Sequence, residues 1–379
     1  MNRSTMGLTR RFAVALPALA VLSLLSLASP QVRGAVIDLG QAGAYAVFGL
    51  GSTNNVGTTG DPLGNTFRVY GDVAVGADTT SATADGYGNF QKGFIQGNLF
   101  VDNSTALSPG FATWHINQDA GVTGNIDGVP SPCTNTAGCG IDYNGTGNTD
   151  LSQAVSDAVT RSAFYAALPG TSLGAYDLGA GNFTLAAGVY NATDFSFNHT
   201  ILTITGGATD SFVLNDSGGF DFSQATIVLS GGITANNVLF NVTGTGAGVT
   251  VQKSNSTFQG TLLGVSRDIT LLDIGAGTAA GVGAGADGIW GTADDNFGFN
   301  GRVIGALSCP SLCTTPGITQ TADGLQLIIH SGAEVNFPSP PRQTVPEPST
   351  LATALLGLAL LGLARVRRTD RRILGRAPH

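Results

Sequence analysis

The sequence predicts a mainly β protein, a stack of short strands wound as a β-solenoid, with one α-helix lying alongside. Three observations predict it. Glycine fills 55 of 379 positions and charged residues only 11%, while Val, Ile, Leu and Phe fall in short runs punctuated by Gly, Asn and Asp; that pattern belongs to many short strands joined by turns. Strand–corner–strand motifs recur at a period fit for one coil of a solenoid. Only one stretch carries a convincing helical periodicity.

The coil repeat lies in residues 36–130. Val69-Tyr70-Gly71-Asp72-Val73-Ala74-Val75 aligns with Ile95-Gln96-Gly97-Asn98-Leu99-Phe100-Val101, and a weaker copy follows at Val122-Thr123-Gly124-Asn125-Ile126. The spacings are 26 and 27 residues. Each copy reads as a strand, a Gly-Asx corner and an alternating strand, so successive coils would bury their inward residues on one another.

The helix is expected over residues 150–168. Asp150 is placed to cap it and Gln153 to complete a capping box. Leu151, Val155, Ala158, Val159, Ser162 and Ala166 share one face at 3.6-residue spacing, and Pro169-Gly170 ends it. One helix between two strand-rich regions is expected to brace a β body from the side. Strands resume at 183–185, 189–190, 201–205, 211–214, 226–229, 238–242, 249–251, 269–272 and 325–329. A second repeat sits among them: Phe258-Gln259-Gly260-Thr261-Leu262-Leu263-Gly264 matches Phe299-Asn300-Gly301-Arg302-Val303-Ile304-Gly305, 41 residues on.

The two ends of the chain read as targeting signals. Arg3, Arg10 and Arg11 precede an apolar stretch over 12–28 and then Val32-Arg33-Gly34-Ala35, the pattern of a secretory signal peptide cut by signal peptidase after Gly34 or Ala28. Pro17 argues against a lasting membrane helix there. At the other end Val345-Pro346-Glu347-Pro348 closes a Pro-rich spacer over 338–350. An uncharged Leu/Ala/Gly run over 351–364 follows, and then a basic end over 365–379 with Arg365, Arg367, Arg368, Arg371 and Arg372. The apolar run, about 21 Å as a helix, is short of the roughly 30 Å hydrocarbon core and needs its flanks to span it. The basic end would stay cytoplasmic, leaving residues 35–337 outside as the solenoid domain.

Without its ends the body keeps 7 basic against 23 acidic residues, a net charge of −16, with Glu334 its only Glu. Such a field repels nucleic acid and anionic lipid. Four cysteines fall in two local pairs, Cys133 with Cys139 and Cys309 with Cys313. Export favours disulfides over zinc; three pairings exist, and proximity favours the local one.

The zone order of the tail closely resembles the PEP-CTERM sorting signal of Gram-negative bacteria, with Pro346, Glu347 and Pro348 as its motif. That resemblance implies recognition and cleavage by an exosortase at the inner membrane. It implies a final place at the cell surface or in the matrix of bacteria that make exopolysaccharide. The body, through L-A-A-G-V-Y, S-F-V-L-N, N-N-V-L-F-N-V and F-Q-G-T-L-L-G ending in F-N-G-R-V-I-G, is similar to the choice-of-anchor A family. It is similar, more distantly, to the ice-binding-like adhesin domain. Both resemblances imply an irregular right-handed β-solenoid with a helix alongside, and neither supplies catalytic residues.

Against an ice-binding face stands the lack of a legible array: one Thr-x-Thr, Thr203 and Thr205, and no ladder. Asp287, Asp294, Asp295 and Asn296, in a Gly-rich insertion, offer oxygen ligands to calcium; without EF-hand spacing the alternative is a solvated turn capped by Trp290. Enzyme readings do poorly. Asn148-Thr149-Asp150 and Asp294-Asp295 look like fragments of a polygalacturonase pattern, but no Gly-His-Gly or Arg-x-Lys accompanies them, and G-x-S-x-G, HExxH and a P-loop are missing. The expectation is a non-enzymatic exported surface or matrix protein. An ice- or ligand-binding adhesin is the alternative, and a polysaccharide-active enzyme the less favoured one.

Overall fold

The computed structural model describes residues 37–51, 54–57, 67–76, 87–103, 113–132, 140, 143–253, 256–274, 298–307, 325–329 and 333–337. Among them, ten strands precede the helix: β1 Val47–Gly51, β2 Asn54–Gly57, β3 Phe67–Tyr70, β4 Val73–Val75, β5 Tyr87–Gln96, β6 Leu99–Val101, β7 Thr113–Val122, β8 Asn125–Ile126, β9 Val129–Pro130 and β10 Tyr143–Thr146. The helix α1 is Ser152–Ala166. Fourteen strands follow it: β11 Thr171–Leu178, β12 Gly181–Ala186, β13 Gly188–Asn198, β14 Thr200–Thr205, β15 Phe212–Asp216, β16 Phe220–Ser223, β17 Thr226–Ser230, β18 Val238–Val242, β19 Val249–Gln252, β20 Phe258–Gly264, β21 Ile269–Leu272, β22 Phe299–Leu307, β23 Gln326–Ile329 and β24 Glu334–Asn336.

Almost every pairing is parallel, and the strands form three ladders around one core. The first runs β13–β15–β18–β20–β22–β1–β4–β6–β8. The second runs β11–β13–β16–β19–β21–β23–β2–β5–β7 and ends in the antiparallel strand β10. The third has two parts: β12–β14–β17, and β22–β24–β3–β5–β7, the latter using the N-terminal end of β22 and the C-terminal halves of β5 and β7. A Gly-Asx corner marks the turn from the third ladder to the first in the N-terminal coils. Asn98 donates its N–H and its side-chain amide to Asp72 Oδ1, both at 2.9 Å, and Asn125 N–H donates to Asn98 Oδ1 at 2.9 Å. The accompanying glycine is forced by closeness, since a Cβ on Gly97 would lie 2.3 Å from the Gly71 carbonyl oxygen. The 26- and 27-residue repeat is therefore this ladder of corners.

Order along the stack differs from order along the chain. The C-terminal coils pair onto the first N-terminal ones at a seam, β22 with β1, β23 with β2 and β24 with β3. The chain finishes its N-terminal coils at one end and must begin the C-terminal ones at the other. Seven strand spacings separate β6 from β13 on the first ladder, about 34 Å at the usual inter-strand distance. Helix α1, 15 residues long, covers about 22 Å of it, and short extended flanks cover the rest.

The helix covers the first ladder. Two columns alternate there. Tyr190, Leu214, Phe240, Leu262, Val303, Val47, Val73, Leu99 and Ile126 point inward. Asn191, Asn215, Asn241, Leu263, Ile304, Phe48, Ala74 and Phe100 form the other. Ala154, Val155, Ala158 and Val159 of α1 pack with Leu263, Ile304, Phe48 and Ala74 in a second core. The interior core is rich in phenylalanine, with Phe258 and Phe299 stacked at 4.5 Å and Phe240–Phe258 at 4.9 Å.

The three asparagines hold the C-terminal half of the helix. Asn241 Nδ2 donates to the Ser162 carbonyl at 3.0 Å and to Asn215 Oδ1 at 2.9 Å, and accepts from Ser162 Oγ at 2.7 Å. Asn215 Nδ2 donates to the Tyr165 carbonyl at 2.9 Å and to Asn191 Oδ1 at 3.0 Å. Each coil thus passes one amide bond to the next and one to the helix. The capping box is corrected: the cap position is Leu151, whose N–H donates to Asp102 Oδ1, and Gln153 bonds forward to Asp157. Asp150 still accepts the Ser152 N–H at 3.0 Å. The tether to β6 sets the helix start, so tertiary contact decides where local capping chemistry would have placed it one residue earlier.

Asn241 is fully buried with all its polar atoms engaged. Replacing it with Leu leaves Ser162 Oγ and Asn215 Oδ1 without these partners, so Asn241→Leu should cost about 2–4 kcal/mol of unfolding free energy. Chemical denaturation of the purified protein measures it.

Candidate binding faces

With the first ladder under the helix, two surfaces stay open. On the second ladder one outward column runs Asp177, Ser196, Asp221, Thr250, Thr270, Ile328, Gly57, Asn89, His115 and Asn144. Its neighbours Phe195, Phe220, Val249 and Ile269 turn into the core, so the alternation fixes this row outward. Ser196 Oγ donates to Asp177 Oδ1 at 2.8 Å. This surface mixes carboxylates, hydroxyls and amides on strands about 4.8 Å apart.

The β12–β14–β17 sheet presents a different surface. Its outward positions form three rows of three: Asn182, Ile201 and Thr226; Thr184, Thr203 and Val228; Ala186, Thr205 and Ser230. Beneath them Leu202, Ile204 and Ile227 are fully buried. None of the nine positions is charged, and five of them are Thr or Ser. The rows lie about 6.6 Å apart, two residues along a strand, and the columns about 4.8 Å. This corrects the expectation that no ladder exists. Thr203 and Thr205 sit at the heart of an array whose other members come from two other coils, 19 and 25 residues away at corresponding positions. Unequal coil lengths hide it from the linear sequence.

Beside this array β17 diverges from β20. Their pairing stops at the Thr226–Thr257 bridge. An open groove of about 550 Å³ follows, lined by Val228, Leu229, Ile233, Thr234 and Gln259 among others.

Two buried arginines hold the corners around these surfaces. Arg267, 1% exposed, donates to the carbonyls of Ser217 at 3.1 Å, Thr243 at 2.7 Å and Ala247 at 2.8 Å. It thereby ties together the turns of successive coils between the first and second ladders. Asp216 lies beside it. Burial pushes this carboxyl up to about 6, Asp194 adds to the rise, and the Gly218 N–H and Arg267 oppose it. Arg302 lies 3.9 Å over the Phe337 ring and donates to Thr261 Oγ1 at 3.2 Å. Burial pulls its pKa down to about 10. Phe337 N–H in turn donates to the Tyr70 carbonyl at 2.9 Å. Phe337 therefore lies beside the seam, just after a strand paired on both edges.

The residues singled out from the sequence lie elsewhere. The sorting motif Val345, Pro346, Glu347 and Pro348, the calcium candidates Asp287, Asp294, Asp295 and Asn296, and the cysteines Cys133, Cys139, Cys309 and Cys313 all fall outside the described residues, as do both terminal apolar segments. Among the described residues no group of three His, Cys, Asp or Glu is arranged to hold a metal, and no helix is long and apolar enough to cross a membrane. His115 Nδ1 lies 3.3 Å from Asn89 Oδ1, and His199 Nδ1 lies 2.7 Å from Asn198 Oδ1.

A three-ladder β-solenoid with a lateral helix and two outward ladders left uncovered by it defines a β-solenoid scaffold. Residues 69–282 match the model of the ice-binding-like family, and the chain belongs to that family. Of the two body families the sequence resembles, this is the one whose model matches. Residues 344–368 match the PEP-CTERM protein-sorting motif, the mark of an exported surface protein processed by an exosortase from a membrane-anchored precursor. Solved structures similar to it include a glycosylated ice-binding protein from an Arctic yeast, at 19% identity over 83% of this chain and 100% of that one, with a TM-score of 0.42. An ice-binding protein from an Antarctic biological consortium matches at 16% identity over 80% and 92%, TM-score 0.42. One from the Antarctic ascomycete Antarctomyces psychrotrophicus matches at 16% over 80% and 98%, TM-score 0.41. No curated protein matches.

The Asp216 carboxyl has a testable sign. Its folded pKa, about 6, is above the ordinary value of 3.8. Between those values the folded state binds more protons than the unfolded, so this group makes stability fall as pH rises through 6 and level off below about 4. Asp216→Asn should therefore stabilise the protein more, relative to the native chain, at pH 7 than at pH 5. Urea unfolding of both proteins at the two pH values reads that difference.

Proposed function

We propose that this chain is a non-enzymatic surface protein, displayed by its solenoid and sorted by its tail, whose β12–β14–β17 face binds an ordered, extended ligand. Ice is the first ligand to test. The observation that carries the reading is the uncharged three-by-three grid of short side chains. An uncharged β-sheet surface holds few waters tightly and can meet an ordered solid at many points together. Family membership supports the same ligand class. In this reading residues 1–34 are removed by signal peptidase, and exosortase acts at Val345–Pro348 before the protein reaches the surface or matrix.

A second reading is association with exopolysaccharide, favoured by the column Asp177–Ser196–Asp221–Thr250–Thr270. Carboxylates and hydroxyls in register could bond the hydroxyls of a sugar chain. Calcium at Asp287, Asp294, Asp295 and Asn296 would add a cation to such a face, and disulfides at Cys133–Cys139 and Cys309–Cys313 would close loops of the mature body.

The processed protein, purified from its host, should slow ice recrystallisation and shape growing ice crystals, and Thr203→Tyr at the centre of the grid should abolish both without lowering the melting temperature by more than a few degrees. Activity untouched by Thr203→Tyr rules out this face. Absence of ice activity together with retention on host exopolysaccharide, lost in Asp221→Asn, would replace the first reading with the second. Deleting residues 345–379 should move the protein from the membrane fraction to the medium; an intact, membrane-held native chain would remove the exosortase step.

A further inference from the structure

We propose that the open end of the solenoid, the coil formed by residues 171–190, is a docking surface for a second copy of this chain, joined end to end about a twofold axis. The coil comprises β11, β12 and the first residues of β13. Strand β11 pairs only with β13, and β12 only with β14, so among the described residues nothing pairs on their outer edges. Five inward side chains of this coil, Leu173, Tyr176, Phe183, Leu185 and Tyr190, are only half-buried, and of its inward positions Leu178 is buried. One coil further in, Phe195, Leu202, Ile204 and Phe212 are fully buried. Among the described residues the core is thus less covered at this end than one coil further in.

Solenoids normally close such an end with a polar capping repeat, and exposed strand edges normally carry Lys, Pro or bulges that discourage pairing. Residues 171–190 hold neither Lys nor Pro, and a single charge, Asp177. The one protective device is the irregularity at Gly174 in β11. In a body of net charge −16, an almost uncharged end is the surface on which two copies meet with least repulsion. Its twenty residues match the lower bound of the roughly 20–30 per side found in stable interfaces.

Geometry selects the twofold arrangement. Turned to face itself, a coil runs in the opposite sense, so all three edges meet antiparallel strands, the better-bonded orientation. The far end offers no equivalent outline, because antiparallel strands β10 and β9 finish the second and first ladders there. A like-to-like contact closes after two copies and cannot grow into a filament. Phe337, the last described residue, lies five strand spacings, about 24 Å, from this end.

Sedimentation velocity of the processed protein, from about 1 to 100 µM, should show a monomer–dimer equilibrium and no larger species. Thr184→Lys, whose side chain is already exposed on β12, sets like charges against each other across the axis and should raise the dimer dissociation constant by at least about tenfold. Leu185→Lys, at the mouth of the core, should leave only monomer. Asn144→Lys, exposed on β10 at the far end, should change nothing. A protein monomeric throughout, a dimer indifferent to Thr184→Lys, a dimer broken by Asn144→Lys, or growth to larger oligomers would each overturn the proposal. Because Thr184→Lys does not touch the core, the test stands even where Leu185→Lys fails to fold.

Discussion

The structure depends on a single constraint: the first and the last described strands of the solenoid pair with each other in the middle of the stack. Strands β1, β2 and β3 pair with β22, β23 and β24, so the N-terminal coils grow one way from the seam and the C-terminal coils end against it. A chain so ordered needs a return path nearly the length of the solenoid, and α1 is that path. Its packing consumes one whole face and creates the second hydrophobic core. The helix is thus the consequence of the strand order. The asparagine column that grips it belongs to the coils where the return ends, just before β11.

That topology allots the remaining surfaces. Once the first ladder is covered, binding must use the second or third, or the ends. Both edges of β24 are paired, and Arg302 clamps Phe337 just beyond it. Strand β24 is therefore held by backbone bonds on both sides inside the stack. A terminal coil, paired on one edge only, would peel more easily.

How much of this was legible in the sequence follows from what each feature depends on. The Gly-Asx repeat and the Phe258–Gly264 match to Phe299–Gly305 were legible because each is a direct register: the structure pairs Phe258 with Phe299 through to Gly264 with Gly305, residue by residue. Helix α1 was legible because its buried face repeats locally. The seam was not, since pairing between Val47 and Val303 leaves no local signal. Strand β11 was also missed, because Gly174 and a chain of half-exposed residues give it no clean alternation. The grid of nine was hidden for a further reason. A solenoid repeat constrains inward positions tightly, whereas coil lengths drift wherever a corner tolerates an insertion. The sequence displays its site-like motifs as compact local runs, at Asp294-Asp295 and the cysteine pairs, while the array that can bind is spread across three coils one residue type at a time.

Charge then separates the two open faces. The body carries its −16 mostly as aspartate, and aspartate serves corners well, as Asp72, Asp127 and Asp216 show by accepting backbone N–H groups. The second ladder adds Asp177 and Asp221 to its outward row. The β12–β14–β17 grid has none, and the coil at its edge has only Asp177. An acidic protein that keeps one face free of charge and the adjoining end nearly so has two contiguous surfaces with weakly held water. Contact on the end extends the grid rather than covering it, because the twofold axis lies across the strands while the grid faces sideways. Two copies joined there would lay their uncharged faces next to one another, doubling the number of points that meet an ordered ligand at once, and multipoint contact gains more from such doubling than from any single stronger site.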